Sequence, residues 1–208
     1  MSVMIVTSVS KYGKGKYKVF LDEEFAFVLY KGELLKYGIE QGNEISETVI
    51  SDIRDNVFLK RAKLRAMNLL KSRDYTETAL RRKLLESLYP DEAVDQALEY
   101  VKSYGYIDDL RYAQSYIRSC IGTRSRRDIR SRLRTRGVAD ELIDEAFESE
   151  GSFEDEEDEL LKRLILKKCP APESLDNTGR QKLYAYLYGK GFDPYRVDKA
   201  LRALDITY

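Results

Sequence analysis

Apolar positions recur in the same order in three stretches of the chain, residues 79–98, 128–147 and 182–201. Laid over one another without gaps, the stretches share two aliphatic residues four positions apart, then an aromatic residue or valine. Each stretch closes on valine or isoleucine, aspartate, a variable residue, alanine and an apolar residue. The copies are offset by 49 and then 54 residues. A period of this size is typical of repeat proteins in which each repeat is one small group of helices.

Residues 1–50 follow a different pattern, which favours strands. Short runs rich in β-branched and aromatic residues, separated by turn-forming residues, occupy 3–10, 16–22 and 24–30. Such runs predict a small three-stranded antiparallel sheet. A short helix near 31–37 should follow and end at Gly38, because glycine readily adopts the left-handed conformation found after helix C-termini.

From residue 51 onward, apolar residues recur every three or four positions, as in amphipathic helices. We therefore predict a mainly α fold: three tandem three-helix repeats preceded by a small β-containing N-terminal region. The predicted domains are 1–50, 51–107, 108–150 and 151–208. Side chains suited to cap helix N-termini are Thr76, Ser125, Asp193 and one aspartate of the pair Asp108 and Asp109. An insertion over 169–177, with prolines at 170 and 172, accounts for the longer second offset.

Composition argues against catalysis. The chain has no histidine, which removes the usual general base and the commonest zinc ligand. Its two cysteines, Cys120 and Cys169, lack metal-site spacing and lie in helical apolar patterns, so we expect buried free thiols. We expect no enzyme, no catalytic or metal site and no cofactor.

The start of the chain and its hydropathy favour a cytoplasmic protein. No apolar run approaches the roughly 20 residues that a membrane helix needs. The first apolar segment precedes its lysines, whereas a secretory signal has the reverse order. We therefore expect neither membrane insertion nor export.

Charge is balanced overall but segregated along the chain. The 36 basic and 36 acidic residues give a formal net charge of zero. Nine arginines and a single acid lie in 111–136, whereas twelve acids and no base lie in 140–159. Arginine binds phosphates and carboxylates through its planar fork, so the helix within 124–136 is the candidate surface for an anionic partner. That partner is either a nucleic acid or an acidic protein surface.

Three other features have a structural and a functional interpretation. The acidic run 148–159 suits a solvated joint and helix start better than a calcium loop, because it lacks alternating ligands around a central glycine. Basic residues alternate with tyrosines in 11–18, which is either a solvated hairpin tip or a contact for phosphates and bases. Asp108 and Asp109 are explained by helix capping rather than by catalysis.

One segment is similar to a family signature. Residues 104–113 read Tyr-Gly-Tyr-Ile-Asp-Asp-Leu-Arg-Tyr-Ala. With 66–76 upstream and Arg-Leu-Arg-Thr-Arg-Gly-Val at 132–138, this pattern resembles the RecX regulators of the RecA recombinase. The strong match covers about 62–147. The N-terminal region is similar to the extra segment of longer family members.

The resemblance implies a non-enzymatic regulator that acts in homologous recombination, DNA repair and the SOS response. Proteins of this family lie in the groove of the RecA filament on single-stranded DNA and limit strand exchange, ATP hydrolysis and cleavage of the LexA repressor. Weak nonspecific DNA contact is also expected. The candidate partner-binding residues are the exposed basic residues of the first repeat and the arginines of the second: Arg73, Arg81, Arg82, Arg124, Arg126, Arg127, Arg130, Arg132, Arg134 and Arg136.

Two other classes remain possible from the residues alone. Three helices with a glycine turn also describe a helix-turn-helix regulator that reads DNA sequence. Its recognition helix would be the one after Gly137, which begins with the acidic stretch 140–145 and would be repelled by phosphates. The other class is a repeat scaffold for helical partners.

Overall fold

Helices make up most of the residues that the computed structural model describes, which are 3–151, 153–170 and 175–204. The fold is the predicted one: a small antiparallel sheet precedes three successive groups of three helices. The chain divides into two units, Met1–Ile107 and Asp108–Tyr208. The finer division into four domains stays a prediction.

The N-terminal sheet has four strands, one more than predicted. They are β1 (Val3–Gly13), β2 (Lys16–Leu21), β3 (Glu24–Tyr30) and β4 (Glu44–Ser46). All pairs are antiparallel and the order is β3-β2-β1-β4. Strand β4 escapes prediction because three residues are too few to display an alternating pattern.

The helices of the first unit are α1 (Lys31–Tyr37), α2 (Glu47–Ile53), α3 (Lys60–Leu70), α4 (Glu77–Leu85) and α5 (Asp91–Ser103). A π-helical segment, Arg54–Leu59, joins α2 to α3. Helix α1 is followed by Gly38 at φ +62°, as predicted. Inward-facing strand residues such as Val19 and Leu29 share one core with helical residues such as Phe58 and Leu80. The sheet is thus packed onto the first helical repeat.

The second unit contains α6 (Asp109–Cys120), α7 (Arg126–Thr135), α8 (Asp140–Ser149), α9 (Phe153–Lys168), α10 (Asn177–Gly189) and α11 (Pro194–Ala203). The shared apolar skeleton forms the centre of each repeat. Ile129 and Leu133 of α7 are fully buried in one core, and Leu187 and Val197 are fully buried in the next. The repeat pattern therefore encodes two separate small cores in this unit.

The predicted helix caps are confirmed by hydrogen bonds. The side chains of Thr76, Asp108, Ser125 and Asp193 accept backbone N–H groups of the first turns of α4, α6, α7 and α11. Helix α10 differs from its prediction, which placed the start at Thr178 or Gly179. It begins at Asn177, because the Asp176 carboxylate accepts the Gly179 N–H at 2.7 Å.

Both cysteines are free: Cys120 is buried as expected, and Cys169 is half-buried. The predicted helix break falls partly on residues 171 and 172, which lie outside the described residues. Among the helices of the described ranges, none combines the length and the hydropathy of a membrane span.

Candidate functional site

The arginine cluster, defined as the arginines of 124–136, surrounds α7 on every side except its core-facing stripe. Ile129 and Leu133 occupy that stripe and are completely buried. The arginines are consequently held at the surface, as the helical period requires. Their partners differ from one another, and these partners determine which charges are available.

Asp128, the only acid within the cluster, neutralises two of its arginines. Its carboxylate lies 2.9 Å from a guanidinium nitrogen of Arg124 and 3.0 Å from Nε of Arg132. Asp128 and Arg132 lie four positions apart within α7, the spacing at which side chains on one face of a helix meet. Arg124 lies just before the N-cap Ser125 and reaches the same carboxylate from outside the helix. Partial burial on its own would raise the pKa of the Asp128 carboxyl. The hydrogen bonds from the two arginines outweigh that effect and hold the pKa below its usual range.

The acidic helix α8 folds back beside α7 and pairs with it. Asp140 lies 2.7 Å from Nε of Arg134 and 3.5 Å from Arg130, and Asp144 also bonds to Arg130. The hydrogen bond from Arg134 lowers the pKa of Asp140. The sequence-based expectation of separate positive and negative patches is thus incomplete, because the two helices compensate each other across the Gly137 turn.

A buried carboxylate binds the N-terminus of α7. Glu157 is only 5% exposed, and its Oε1 accepts the backbone N–H of Arg126 at 2.7 Å. Burial raises the pKa of Glu157, although that hydrogen bond and the nearby charge of Arg196 act in the opposite direction. Arg196 is itself held by Glu154 at 3.0 Å and Asp158 at 2.8 Å. The acidic run is therefore an internal anchor as well as a helix start, which sequence reasoning missed.

The second and third repeats meet at the same end of α7. Ser125 Oγ donates a hydrogen bond to the carbonyl oxygen of Lys190 at 2.8 Å. The Arg127 guanidinium donates to the carbonyl oxygen of Tyr188 at 2.5 Å and lies 4.6 Å from the centre of that ring. Gly191 allows this approach: a Cβ there would lie 2.5 Å from Ser125 Oγ. One predicted partner-binding arginine, Arg127, therefore also joins two repeats.

Two open cavities flank this contact. One, of about 390 Å³, lies between the starts of α7, α9 and α11 and is lined by both arginines and glutamates, including Arg126 and Glu157. The other, of about 410 Å³, is here called the junction groove, and its basic lining residues are Arg127, Arg130, Arg134 and Lys190. Lys190 was absent from the predicted set, since a single lysine beside a helix-ending glycine gives no sequence signal.

The cations of the junction groove differ in whether an acidic side chain already pairs with them. Arg130 and Arg134 are paired with α8, as described above. Arg127 and Lys190, both exposed, form no ion pair with any acid that the structure describes. These two side chains are therefore the uncompensated charges of the groove.

The arginines of the first repeat have distinct surroundings. Arg73 stacks at 4.6 Å on the ring of Tyr75. Arg81 lies 2.5 Å from Asp95, whereas exposed Arg82 has no ion-pair partner within the described chain. Arg81 and Asp95 align with Arg130 and Asp144 of the second repeat, so this ion pair belongs to the repeat skeleton.

Arg136 completes the predicted set and stacks at 4.6 Å on Tyr116 of α6. Arg126 similarly stacks at 4.6 Å on Phe147 of α8. In the described ranges, no group of three or more potential metal-ligating side chains is suitably arranged for an ion. The site is therefore a charged protein surface with a groove, built from residues that also stabilise the repeats.

The fold and this surface define a protein of tandem three-helix repeats with a basic groove between two of them. The comparisons with known proteins agree with that class. Family models described as the first, second and third three-helix domains of RecX match residues 62–100, 108–146 and 155–201. The chain belongs to the RecX family.

Individual relatives extend the match to nearly the whole chain. Regulatory protein RecX of Caldanaerobacter subterraneus subsp. tengcongensis is 33% identical over 200 residues, covering 95% of this chain and 98% of the relative. That of Clostridium acetobutylicum is 25% identical over 93% of this chain and 92% of its own length. A crystal structure of a regulatory protein RecX superimposes with a TM-score of 0.65 at 26% identity, covering 98% of this chain and all of the other.

Proposed function

We propose that this RecX-family protein binds the RecA filament on single-stranded DNA, in the filament groove, and inhibits recombination, ATP hydrolysis and coprotease activity. In this proposal it acts in the cytoplasm, during DNA repair by homologous recombination and the SOS response. Residues 51–107, 108–150 and 151–208 serve as the three repeats, and 1–50 forms an N-terminal region whose sheet shares a core with the first repeat. The protein acts by binding and catalyses no reaction.

The observation that carries the proposal is the junction groove. Its four cations converge on one opening between two repeats. Arg130 and Arg134 are held beside the opening by Asp140 and Asp144 of α8, which already compensate their charge. Arg127 and Lys190 provide the charge that no carboxylate of the described chain compensates. Phosphates or acidic side chains of the filament fit this arrangement.

The exposed arginines of the first repeat extend the proposed contact. Within the described residues, Arg82 is exposed and has no ion-pair partner, and Arg73 forms no ion pair and stacks on the ring of Tyr75. Arg81, Arg124 and Arg132 are each paired with an aspartate. We therefore expect the paired arginines to contribute less to affinity than Arg82, Arg127 and Lys190, since a new anion would have to displace an existing partner.

The exposed side of α8 does not support sequence-specific DNA reading. It carries the exposed acids Glu141, Glu145 and Glu148. Phosphates would repel this helix from a DNA groove. We therefore keep the proposal to a filament-binding regulator, with any DNA contact independent of base sequence.

The test titrates the protein, up to saturation and at low salt, against DNA-dependent ATP hydrolysis by RecA. The double variant Arg127→Gln/Lys190→Gln should raise the concentration needed for half-maximal inhibition at least tenfold, a loss of about 1.4 kcal/mol or more in filament binding. The matched control is Arg202→Gln/Lys182→Gln, which removes the same charge from exposed residues outside the junction groove.

Neutral glutamine avoids the repulsion that a glutamate at these positions would introduce near α8. Circular dichroism should show intact helices in both double variants. If the parent protein leaves ATP hydrolysis unchanged, the proposed function fails. If the groove variant inhibits as well as its control, the function stands and its placement in the junction groove is wrong.

A further inference from the structure

One side of the N-terminal sheet exposes aromatic rings alternating with lysines. Tyr12, Phe25 and Tyr30 are 46%, 45% and 42% exposed. Lys16 and Lys18 lie between them on β2, and alternate residues of a strand point to the same side of a sheet. We call these five residues the aromatic sheet face. It lies in the first unit, away in sequence from the arginine cluster.

Contacts within the aromatic sheet face hold the rings and lysines together. The ammonium of Lys18 lies 4.6 Å from the centre of the Tyr12 ring and 5.8 Å from that of Phe25. Lys16 lies 5.6 Å from the centre of the Tyr30 ring. A shift of pairing register between Lys11 and Gly13 marks a bulge at Tyr12. Bulges commonly redirect a side chain, and this one supports the ring at the end of the hairpin.

These lysines differ electrostatically from the arginine cluster. In α7 most guanidinium groups have a carboxylate partner, whereas Lys16 and Lys18 form no ion pair with any described acid. Lys11 and Lys14, on the same hairpin, are equally uncompensated within the described residues. The acids of this part of the sheet, residues 22–24, lie at the opposite turn, between β2 and β3, where Glu24 directly precedes Phe25. The Lys-rich end of the sheet therefore carries net positive charge that the described chain does not neutralise.

We infer that the aromatic sheet face binds single-stranded nucleic acid, with bases stacked on Tyr12 and Phe25 and phosphates beside Lys16 and Lys18. Unpaired bases present flat apolar surfaces to exposed rings, and their backbone supplies the anions that match the lysines. A duplex hides those surfaces inside its stack and would lose the ring contacts. A cation held against a ring, rather than by a carboxylate, can move to a phosphate without breaking an ion pair.

Tyr30 has a secondary role in this arrangement. The guanidinium of Arg61 lies 4.4 Å from the centre of its ring, and Arg61 is paired with Glu33. The Tyr30 ring is thus covered on the side that faces Arg61. Tyr12 and Phe25 are slightly more exposed than Tyr30 and have no described guanidinium against their rings, so the test concentrates on them.

The test uses the full-length protein without RecA and follows the fluorescence anisotropy of labelled oligothymidine and oligouridine. Each stacked base accounts for about a 5- to 150-fold change in affinity. The variant Tyr12→Ala/Phe25→Ala should therefore weaken binding at least tenfold, whereas Tyr12→Phe, which keeps the ring, should bind as the parent does. Tyr195→Ala is the matched control, because that side chain is 77% exposed on α11.

The salt dependence of oligonucleotide binding tests whether the lysines contact phosphates. Each lost phosphate contact should reduce the slope of log affinity against log salt by about 0.7 for a single strand. Lys16→Gln/Lys18→Gln should accordingly flatten the slope and leave thermal unfolding unchanged, because both side chains lie outside the core. If Tyr12→Ala/Phe25→Ala destabilises the sheet, the lysine variant still tests the site, because it leaves both rings in place.

Ring-dependent binding of either oligonucleotide supports the inference, and the comparison of the two shows whether DNA or RNA is preferred. Failure to bind both, or equal affinity for a duplex that is insensitive to the ring substitutions, would overturn it. The variant Arg127→Gln/Lys190→Gln separates this site from the proposed RecA function. It should keep the ring-dependent binding even where inhibition of RecA is lost.

Discussion

At the scale of single residues, Gly191 has a role that its sequence position conceals. A glycine near the end of α10 is typical of an ordinary helix stop, and its φ of +93° agrees with that. The structure adds a second requirement, since Ser125 Oγ and the backbone N–H of Asp128 both lie close to where a side chain would begin. Gly191 thus permits close approach of two repeats.

We predict that Gly191→Ala destabilises the protein by about 1–3 kcal/mol, because the added Cβ meets Ser125 and the left-handed backbone disfavours alanine. Urea-induced unfolding measures the loss. Gly151→Ala is the control, since its φ lies outside the left-handed region and an added Cβ would meet no described heavy atom within 4 Å. If the two variants are equally stable, the second and third repeats shift enough to accommodate the added methyl group.

A structural feature could be predicted from the sequence when the residues that form it lie close together in the chain. The caps at Thr76 and Ser125 could be predicted because a cap joins residues three positions apart. The burial of Glu157 could not, because its partners Arg126 and Arg196 lie 31 residues before it and 39 after it. A glutamate within an acidic run looks solvated until those partners are placed around it.

At the scale of elements, the helices and their apolar stripes could be predicted, but the pairing of their charges could not. Periodicity shows which residues of α7 face the core and leaves open what the other faces meet. The aspartate that recurs at 95, 144 and 198 was a sequence clue to this pairing, because Asp95 pairs with Arg81 and Asp144 with Arg130. The residue equivalent to these arginines in the third repeat is Tyr184, so the ion pair is absent there.

We predict a measurable coupling between Arg81 and Asp95. A double-mutant cycle with Arg81→Gln and Asp95→Asn should give an interaction energy of about 0.2–1 kcal/mol, the range for partly exposed pairs. Unfolding in urea at low salt gives the four stabilities. The cycle of Arg82→Gln with Asp95→Asn is the control and should give no coupling. Coupling of similar size in both cycles would mean a general charge effect rather than a specific pair.

At the scale of the whole molecule, a net charge of zero conceals how unevenly charge is compensated. In the second unit, acids of α8 and α9 neutralise much of the arginine cluster and anchor its helix. In the first unit, Lys16 and Lys18 of β2 have aromatic rings as neighbours and no described acid as an ion-pair partner. Segregation along the sequence is therefore a poor guide to the charge available for partners.

Asp140 and Glu157 should change the stability of the fold in opposite directions as the pH rises. Hydrogen bonds from Arg134 lower the pKa of Asp140, so this group stabilises the fold above the ordinary carboxyl pKa of about 4 and loses that effect as pH falls through its folded pKa. Burial raises the pKa of Glu157, so the folded state retains its proton where the unfolded chain has lost it. Glu157 therefore lowers stability as pH rises from about 4 through its folded pKa.

Urea-induced unfolding measured from acid to neutral pH tests both signs. Asp140→Asn should weaken the loss of stability on acidification, because the substituted side chain no longer titrates. Glu157→Gln should instead remove part of the decline in stability that occurs as the pH rises towards neutral. The amide oxygen of the glutamine can still accept the Arg126 N–H. Tyr195→Ala, which changes an exposed residue without altering these charges, should reproduce the parent profile. If both carboxyl variants shift the profile in the same direction, the assignment of Glu157 as a buried carboxyl with a raised pKa is wrong.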